Sequence, residues 1–137
     1  METIKITVSA LVSANREKVW KYWNRPEHIV HWNFASEDWH CPRADNDLRV
    51  GGRLTSRMEA KDGSFGFDFE AVYNEVAMLE KTVYTITDGR KAVTTFEDWH
   101  GKTKLVTTFD AEDQNPVEMQ RDGWQAIINN FKAYVEH

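Results

Sequence analysis

The final segment of the chain carries a long, mostly apolar stripe at helical spacing, and that stripe limits the folds open to the rest of the sequence. Asn115 is a good N-cap, Pro116 suits the first helical position, and Glu118 follows the cap by three residues, as in a capping box. The stripe spans about five helical turns. It consists of Val117, Gln120, Trp124, Ile127, Ile128, Phe131, Tyr134 and Val135. A long amphipathic helix must pack such a stripe on another layer of structure.

The residues before this helix supply a layer of antiparallel strands. Alternating side chains predict strands at 3–11, 48–50, 52–60, 65–73, 81–87, 91–97 and 103–109. The later strands are joined by short turns, such as Asp88-Gly89, so neighbours pair antiparallel. After the first strand, Asn15 can cap a helix at 16–24, and Pro26 separates it from a second short helix at 27–32.

Residues 38–53 are predicted to shape one end of the sheet. The run Asp38-Trp39-His40-Cys41-Pro42 is interpreted as a rigid aromatic turn. Gly51-Gly52 lacks Cβ atoms and permits a sharp bend or bulge where one strand passes into the next. Gly123 lies inside the predicted C-terminal helix, where glycine costs about 1 kcal/mol relative to alanine. It indicates a close approach of another element or a gap that must stay open.

Length and composition narrow the class of protein. A chain of 137 residues fits a single domain over 1–137. The net charge is −5 and no basic cluster is interleaved with aromatic residues, so nucleic acid is not expected as a partner. The N-terminus alternates like a strand rather than a signal peptide, and no segment approaches the length of a membrane span. We therefore expect a cytoplasmic protein without stable membrane insertion.

A metal site is the first chemical hypothesis, because His28 and His31 lie three residues apart on a predicted helix and His40 adjoins Cys41. A structural zinc site needs about four ligands at recognisable spacings. The carboxylates of this chain follow no such pattern. The histidines are therefore predicted to lie at the surface or in turns, and Cys41 to be a small buried residue. No metal or cofactor is expected.

Aromatic side chains at inward-facing strand positions indicate a cavity instead. Because consecutive strand residues face opposite ways, the rings and Ser56 point inward and few ionisable groups do. The residues predicted to bind a ligand are Trp32, Trp39, Phe67, Phe69, Tyr84, Phe96, Gln120, Trp124 and Ile128. Gln120, Tyr84 and Ser56 are expected to orient its polar end. Trp39 and His40 are expected at the rim of the cavity.

These motifs resemble those of the START-like, or SRPBCC, superfamily. The resemblance covers essentially the whole chain, and its sharpest points are Trp32, the segment 47–52, Asp62-Gly63, Tyr73 and Gly123-Trp124. Within the superfamily the chain is most similar to the branch named after the activator of the heat-shock-protein-ninety ATPase. The resemblance implies an α+β helix-grip fold: a curved antiparallel sheet of about six or seven strands around a long C-terminal helix, with two short helices after the first strand. It also implies an internal cavity for lipids, aromatic polyketides or hormones.

Four hypotheses about function follow. The first is binding of a small hydrophobic or aromatic ligand, lipid-like or polyketide-like, in the cavity. The second is a co-chaperone-like module that stimulates a heat-shock chaperone ATPase. The third is a cyclase or hydrolase that uses Asp38 and His40, although catalysis needs titratable groups that the interior mostly lacks. The fourth is a completely filled core, with the surface carrying the function. The sequence leaves the oligomeric state open.

Overall fold

The structure, a computed structural model, describes residues 3–137. This part of the chain forms seven strands and three helices joined by loops. Strand β1 (Lys5–Val12) is followed by helices α1 (Arg16–Asn24) and α2 (Pro26–Ile29). The next six strands are β2 (Trp39–Asn46), β3 (Arg53–Ala60), β4 (Gly66–Ala77), β5 (Lys81–Ile86), β6 (Lys91–Trp99) and β7 (Lys102–Asp110). Helix α3 (Val117–Glu136) completes the chain.

The strands form one antiparallel sheet in the order β1-β7-β6-β5-β4-β3-β2. Strands β2 to β7 follow one another as a meander, and β1 returns to pair with β7, so β1 and β2 are the two edges. The sheet curls around α3, which confirms the predicted α+β helix-grip fold with its two short helices after the first strand. Among the described residues, no helix is long and apolar enough to cross a membrane.

The helix boundaries differ from the predicted ones at two places. The Asn15 side chain caps α1 as predicted, accepting a 2.9 Å hydrogen bond from the Lys18 backbone N–H. Helix α2 is shorter than predicted and ends at Ile29. The capping box predicted for α3 is wrong: Pro116 is the N-cap residue, and the Asn115 side chain donates to Glu112 at 2.8 Å. A side-chain bond to the preceding loop thus replaces the expected cap.

Strand β2 was not predicted, because its sequence reads as a turn. Residues 39–46 pair with β3, and the register shifts between His40 and Arg43, around Pro42. Proline cannot donate to the strand ladder, and an edge strand with a bulge is one of the places where it is tolerated. The rigid aromatic turn predicted at 38–42 is therefore the start of an edge strand. The strand predicted at 48–50 is a loop.

Gly51-Gly52 forms the bend that precedes β3, as predicted. Gly51 adopts a φ of 83°, in the left-handed region that favours glycine. A Cβ atom on Gly52 would lie 2.0 Å from the backbone oxygen of Asp47, so no larger residue fits there. The pair also bonds across to β4, with Gly51 N donating to the Tyr73 carbonyl at 2.9 Å. The two glycines therefore serve the backbone geometry at one end of the sheet.

Helix α3 buries its stripe against β1 and the two N-terminal helices. The Phe131 ring is fully buried and meets Trp23 and Trp32 edge-on, with ring centroids 4.9 and 5.0 Å away. Further along the helix, Trp124 stacks on Phe109 of β7 at 3.9 Å. Aromatic contacts of these geometries add to the free energy already gained from burial. They fix α3 over one half of the sheet.

Polar side chains of α3 also close the free edge of β1. The Gln125 amide donates to the Ser9 carbonyl at 2.9 Å and accepts from the Ser9 N–H at 3.3 Å. Lys132 donates to the carbonyl of Leu11 at 2.9 Å. Because these backbone groups face away from β7, they would otherwise be left to solvent. The helix is thus attached to the sheet by hydrogen bonds as well as by packing.

We predict that Phe131→Ala lowers the free energy of unfolding by about 4 kcal/mol, because it removes a fully buried ring and leaves a cavity. Chemical denaturation followed by tryptophan fluorescence measures this change. The matched control is Phe65→Ala, since Phe65 is 63% exposed, and it should cost less than about 1 kcal/mol. Equal losses in the two variants would contradict the packing described here.

Candidate functional site

Two adjoining spaces lie between the concave face of the sheet and α3. The inner cavity has a volume of about 260 Å³. The outer cleft, of about 400 Å³, is more open and lies near the start of α3. Both spaces share the side chains of Met58, Phe67, Arg90, Trp124 and Ile127, which therefore mark the boundary between them. A ligand in the inner cavity would reach solvent past these residues.

Most of the side chains predicted to line a cavity are brought together by the structure. Six of the nine line the inner cavity: Trp32, Phe67, Phe69, Tyr84, Trp124 and Ile128. Trp39 and Gln120 line the outer cleft. Trp39 therefore lies at the rim, as the sequence predicted.

Two of the predicted site residues have other roles. Phe96 lines neither space; it is buried beneath α1, with its ring 5.0 Å from that of Trp20. The Gln120 amide has its own partners, donating to the carbonyls of Asn115 at 2.8 Å and Glu112 at 3.1 Å, and accepting from the Glu112 N–H at 2.9 Å. Gln120 therefore holds the loop before α3 and has no donor left for a ligand.

One wall of the inner cavity is polar, and its hydrogen bonds are satisfied internally. The Tyr73 hydroxyl donates to Asn46 at 2.8 Å, and burial raises the pKa of Tyr73 to about 12. The Asn46 amide donates to the Asn24 carbonyl at 2.7 Å, and the Asn24 amide donates to the Trp20 carbonyl at 2.9 Å. Buried polar groups that are paired in this way stabilise the wall. This chain of bonds joins β4, β2 and α1.

Two hydroxyl groups on the strands either side of β4, those of Ser56 on β3 and Tyr84 on β5, lack such partners. Ser56 is 1% exposed, lines the inner cavity, and its Oγ makes no hydrogen bond within residues 3–137. A buried hydroxyl without a partner costs about 1–3 kcal/mol, so its presence needs a reason. The Tyr84 hydroxyl likewise bonds to no described residue; burial raises its pKa, and the charge of Arg90 partly offsets that rise. Both groups were predicted to orient a ligand.

Arg90 is the one charged residue that the described part of the chain contributes to the inner cavity lining, and it was not among the predicted site residues. It follows the Asp88-Gly89 turn between β5 and β6, lines both spaces, and its side chain is 22% exposed. Strand alternation gives no information about a turn residue, and the side chain is long enough to reach from the β5–β6 turn to the cavity. The interior was expected to contain few ionisable groups, and Arg90 is a charged residue that this expectation did not include.

Asp38 and His40 do not reach either space. Both are absent from the lining of the inner cavity and the outer cleft. His40 lies on the surface with its Nε2 3.6 Å from a carboxylate oxygen of Glu59. The expected rim position of His40 is wrong, because it faces the outer side of β2. The pair consequently gives no geometric support to a cyclase or hydrolase.

The histidines and the cysteine considered for a metal site have other contacts. His28 stacks on Tyr22 at 3.9 Å and shares a 2.7 Å hydrogen bond with the Tyr134 hydroxyl; burial lowers the pKa of His28. His31 stacks on Tyr134 instead. Cys41 is buried, and burial raises the pKa of its thiol. Within residues 3–137 no three His, Cys, Asp or Glu side chains are arranged to hold a metal ion.

Gly123 lies on α3 where the helix borders the outer cleft. A Cβ atom built on it would have no heavy atom within 4 Å. No other element approaches the helix closely at this position, so the first of the two predicted explanations is wrong. The second, an open gap beside the helix, agrees with the geometry.

The curved sheet, the gripping helix and the internal cavity define a protein of the START-like class. The family model described as "Activator of Hsp90 ATPase homolog 1-like protein" matches residues 13–136. The chain belongs to this family. A comparison with curated proteins gives no match.

Solved structures show the same relationship. The AHSA1-like protein from Aeromonas hydrophila is 42% identical, with a TM-score of 0.91, and the match covers 97% of this chain and 92% of that one. A protein from Cytophaga hutchinsonii is 50% identical, with a TM-score of 0.81, over 98% and 92% of the two chains. A protein from Chromobacterium violaceum, 23% identical over 98% and 99%, shares the fold with a TM-score of 0.87.

We predict that Gly123→Ala raises the free energy of unfolding by about 1 kcal/mol, because alanine is the better helix former and its methyl group enters open space. Thermal and chemical denaturation both report this change. Gly52→Ala is the control. It should lower the free energy of unfolding, because its Cβ would collide with the Asp47 carbonyl. A destabilised Gly123→Ala variant would contradict the assignment of open space beside the helix.

Proposed function

We propose that the protein binds a small, predominantly apolar ligand in the inner cavity. The observation that carries this proposal is a cavity walled by aromatic rings that retains an unpartnered, fully buried Ser56 hydroxyl. Apolar walls with a few placed polar groups are the usual composition of small-molecule sites. A ligand would bury its apolar surface against the rings and supply Ser56 with a hydrogen-bond partner.

The dimensions of the cavity limit the ligand. Its volume of about 260 Å³ is slightly below the range of about 300–1,000 Å³ that is common for ligand pockets. It therefore suits a molecule with one or two fused rings or a short acyl chain. A longer molecule would extend past Trp124 and Phe67 into the outer cleft.

Titration with 2-naphthamide, a planar apolar probe of suitable size, tests the proposal. Backbone amide shifts should concentrate on residues around Ser56, Tyr84 and Trp124. Ile127→Trp should weaken binding at least tenfold, because Ile127 lines both spaces and a larger ring would fill them.

The matched control for this experiment is Ala133→Trp, which adds the same ring to the exposed side of α3. Affinity in that variant should stay within twofold of the wild type. Shifts scattered over the surface, or equal effects of the two substitutions, would argue against a ligand in the cavity.

A second candidate function, docking of a chaperone, is favoured by a cluster of exposed rings. Trp39, Phe65 and Phe67 form this rim cluster, with ring centroids 5.9–6.4 Å apart. Phe65 is 63% exposed and Phe67 45% exposed. Exposed aromatic groups of this kind are enriched at protein interfaces. The Hsp90 ATPase named in the family description is the partner that this candidate would engage.

An Hsp90 ATPase assay with the purified chain tests the second candidate. Stimulation is expected with the wild type and should be lost in Phe65→Ser, since the substitution removes the most exposed ring of the cluster. Met78→Ser, at another exposed apolar position, is the control and should stimulate normally. Absence of stimulation by the wild type would exclude this candidate and leave the ligand-binding proposal untouched.

A further inference from the structure

We infer that the ligand of the inner cavity is an apolar monocarboxylic acid whose carboxylate binds Arg90. This inference rests on the ligand-binding function proposed above and adds the chemical class of the ligand. It is carried by the charge of the cavity lining, the orientation of the guanidinium group and the small number of free polar groups nearby.

The lining of the inner cavity carries one formal charge, that of Arg90. Among the residues that line it within 3–137, none is an aspartate or a glutamate. The remaining polar members are neutral amides and hydroxyls, several of them already paired in the wall formed by Tyr73, Asn46 and Asn24. An anionic group entering this space would therefore meet the guanidinium group of Arg90 and no carboxylate of the lining itself, although Asp88, outside the lining, already balances part of the Arg90 charge. A cationic ligand would be repelled by Arg90 and would find no carboxylate in the lining.

The guanidinium group of Arg90 is oriented and still has donors to offer. Asp88 holds it from one side, accepting from Nε at 2.7 Å and from the Arg90 backbone N–H at 3.1 Å. Gly89, with a φ of 94°, allows the tight turn that brings the two residues together. The two Nη atoms bind no other residue of the described chain, so their N–H groups remain free for an acceptor.

A simple surface ion pair does not explain this arrangement. Exposed pairs contribute about 0–1 kcal/mol to stability, and Asp88 could be satisfied without placing Arg90 in the cavity lining. The Arg90 side chain is only 22% exposed, so its charge is partly sheltered from water. Its interaction with an anion is stronger there than it would be in water.

The free polar groups suit one carboxylate rather than a phosphate. Besides Arg90, the hydroxyls of the lining that bond to no described residue are those of Ser56, Tyr84 and Thr82. A carboxylate needs few donors and pairs well with one guanidinium group. A phosphate ester carries nearly two charges, and one guanidinium group already paired with Asp88 would leave most of that charge unbalanced.

Calorimetric titration with 2-naphthoic acid and 2-naphthamide at pH 7.5 tests the inference, because the two probes share one ring system and differ in charge. The wild type should bind the acid about tenfold more tightly than the amide, the ratio expected of a charge-assisted hydrogen bond in a sheltered site. This ratio should fall to about one in Arg90→Gln. Arg90→Lys, which keeps the charge, should retain part of it.

Arg121→Gln is the matched control, since Arg121 is exposed on α3 and lines neither space; the ratio there should stay at the wild-type value. Equal binding of acid and amide by the wild type would overturn the inference and leave the proposed function standing. An equal ratio in Arg90→Gln and the wild type would also overturn it. If neither probe binds in the cavity, both the proposed function and this inference fail.

Discussion

The structure depends on the contact between one helix and one half of a curved sheet. Helix α3 packs along β1 and stacks Trp124 on Phe109 of β7, so part of its apolar stripe is buried on that side, while Ile127 and Ile128 line the inner cavity. The strands at the other end, β3 to β5, receive no comparable cover from the helix. Their inward rings, Phe69 and Tyr84 among them, face a space instead. The cavity therefore results from the position of the helix. Some aromatic side chains pack against the helix in the covered half of the sheet, and others line the cavity in the uncovered half.

The polar groups around the cavity divide into a structural set and a free set. The side chains of Tyr73, Asn46 and Asn24 form hydrogen bonds with one another and with the backbone. These bonds join the sheet to α1. Ser56 stays unpartnered, and Arg90 is held by Asp88 through part of its guanidinium group only. Retaining an unsatisfied buried hydroxyl works against stability. That is the pattern expected where a site is kept for a ligand at some expense to the fold.

The sequence predicts the strand alternation, the long helix and most of the aromatic residues of the cavity lining, because periodicity decides which side chains face inward. It fails where periodicity carries no information. Strand β2 was hidden because Pro42 and a bulge interrupt its pattern. Arg90 was missed because it belongs to a turn, and Phe96 was misplaced because α1 covers that part of the sheet. Gln120 faces inward as expected, yet its hydrogen bonds go to the adjoining loop, a pairing that depends on the tertiary fold.

The hydrogen bonds between α3 and β1 have a consequence for how copies of the chain meet one another. An open edge strand is a template on which another chain can add a strand. On β1 the N–H and carbonyl of Ser9 are already taken by Gln125, and the carbonyl of Leu11 by Lys132. On β2 a proline and a register shift disrupt the opposite edge. Both edge strands are thus protected against pairing with a strand of another chain. The sheet can therefore leave part of its concave face open without promoting aggregation through its edges.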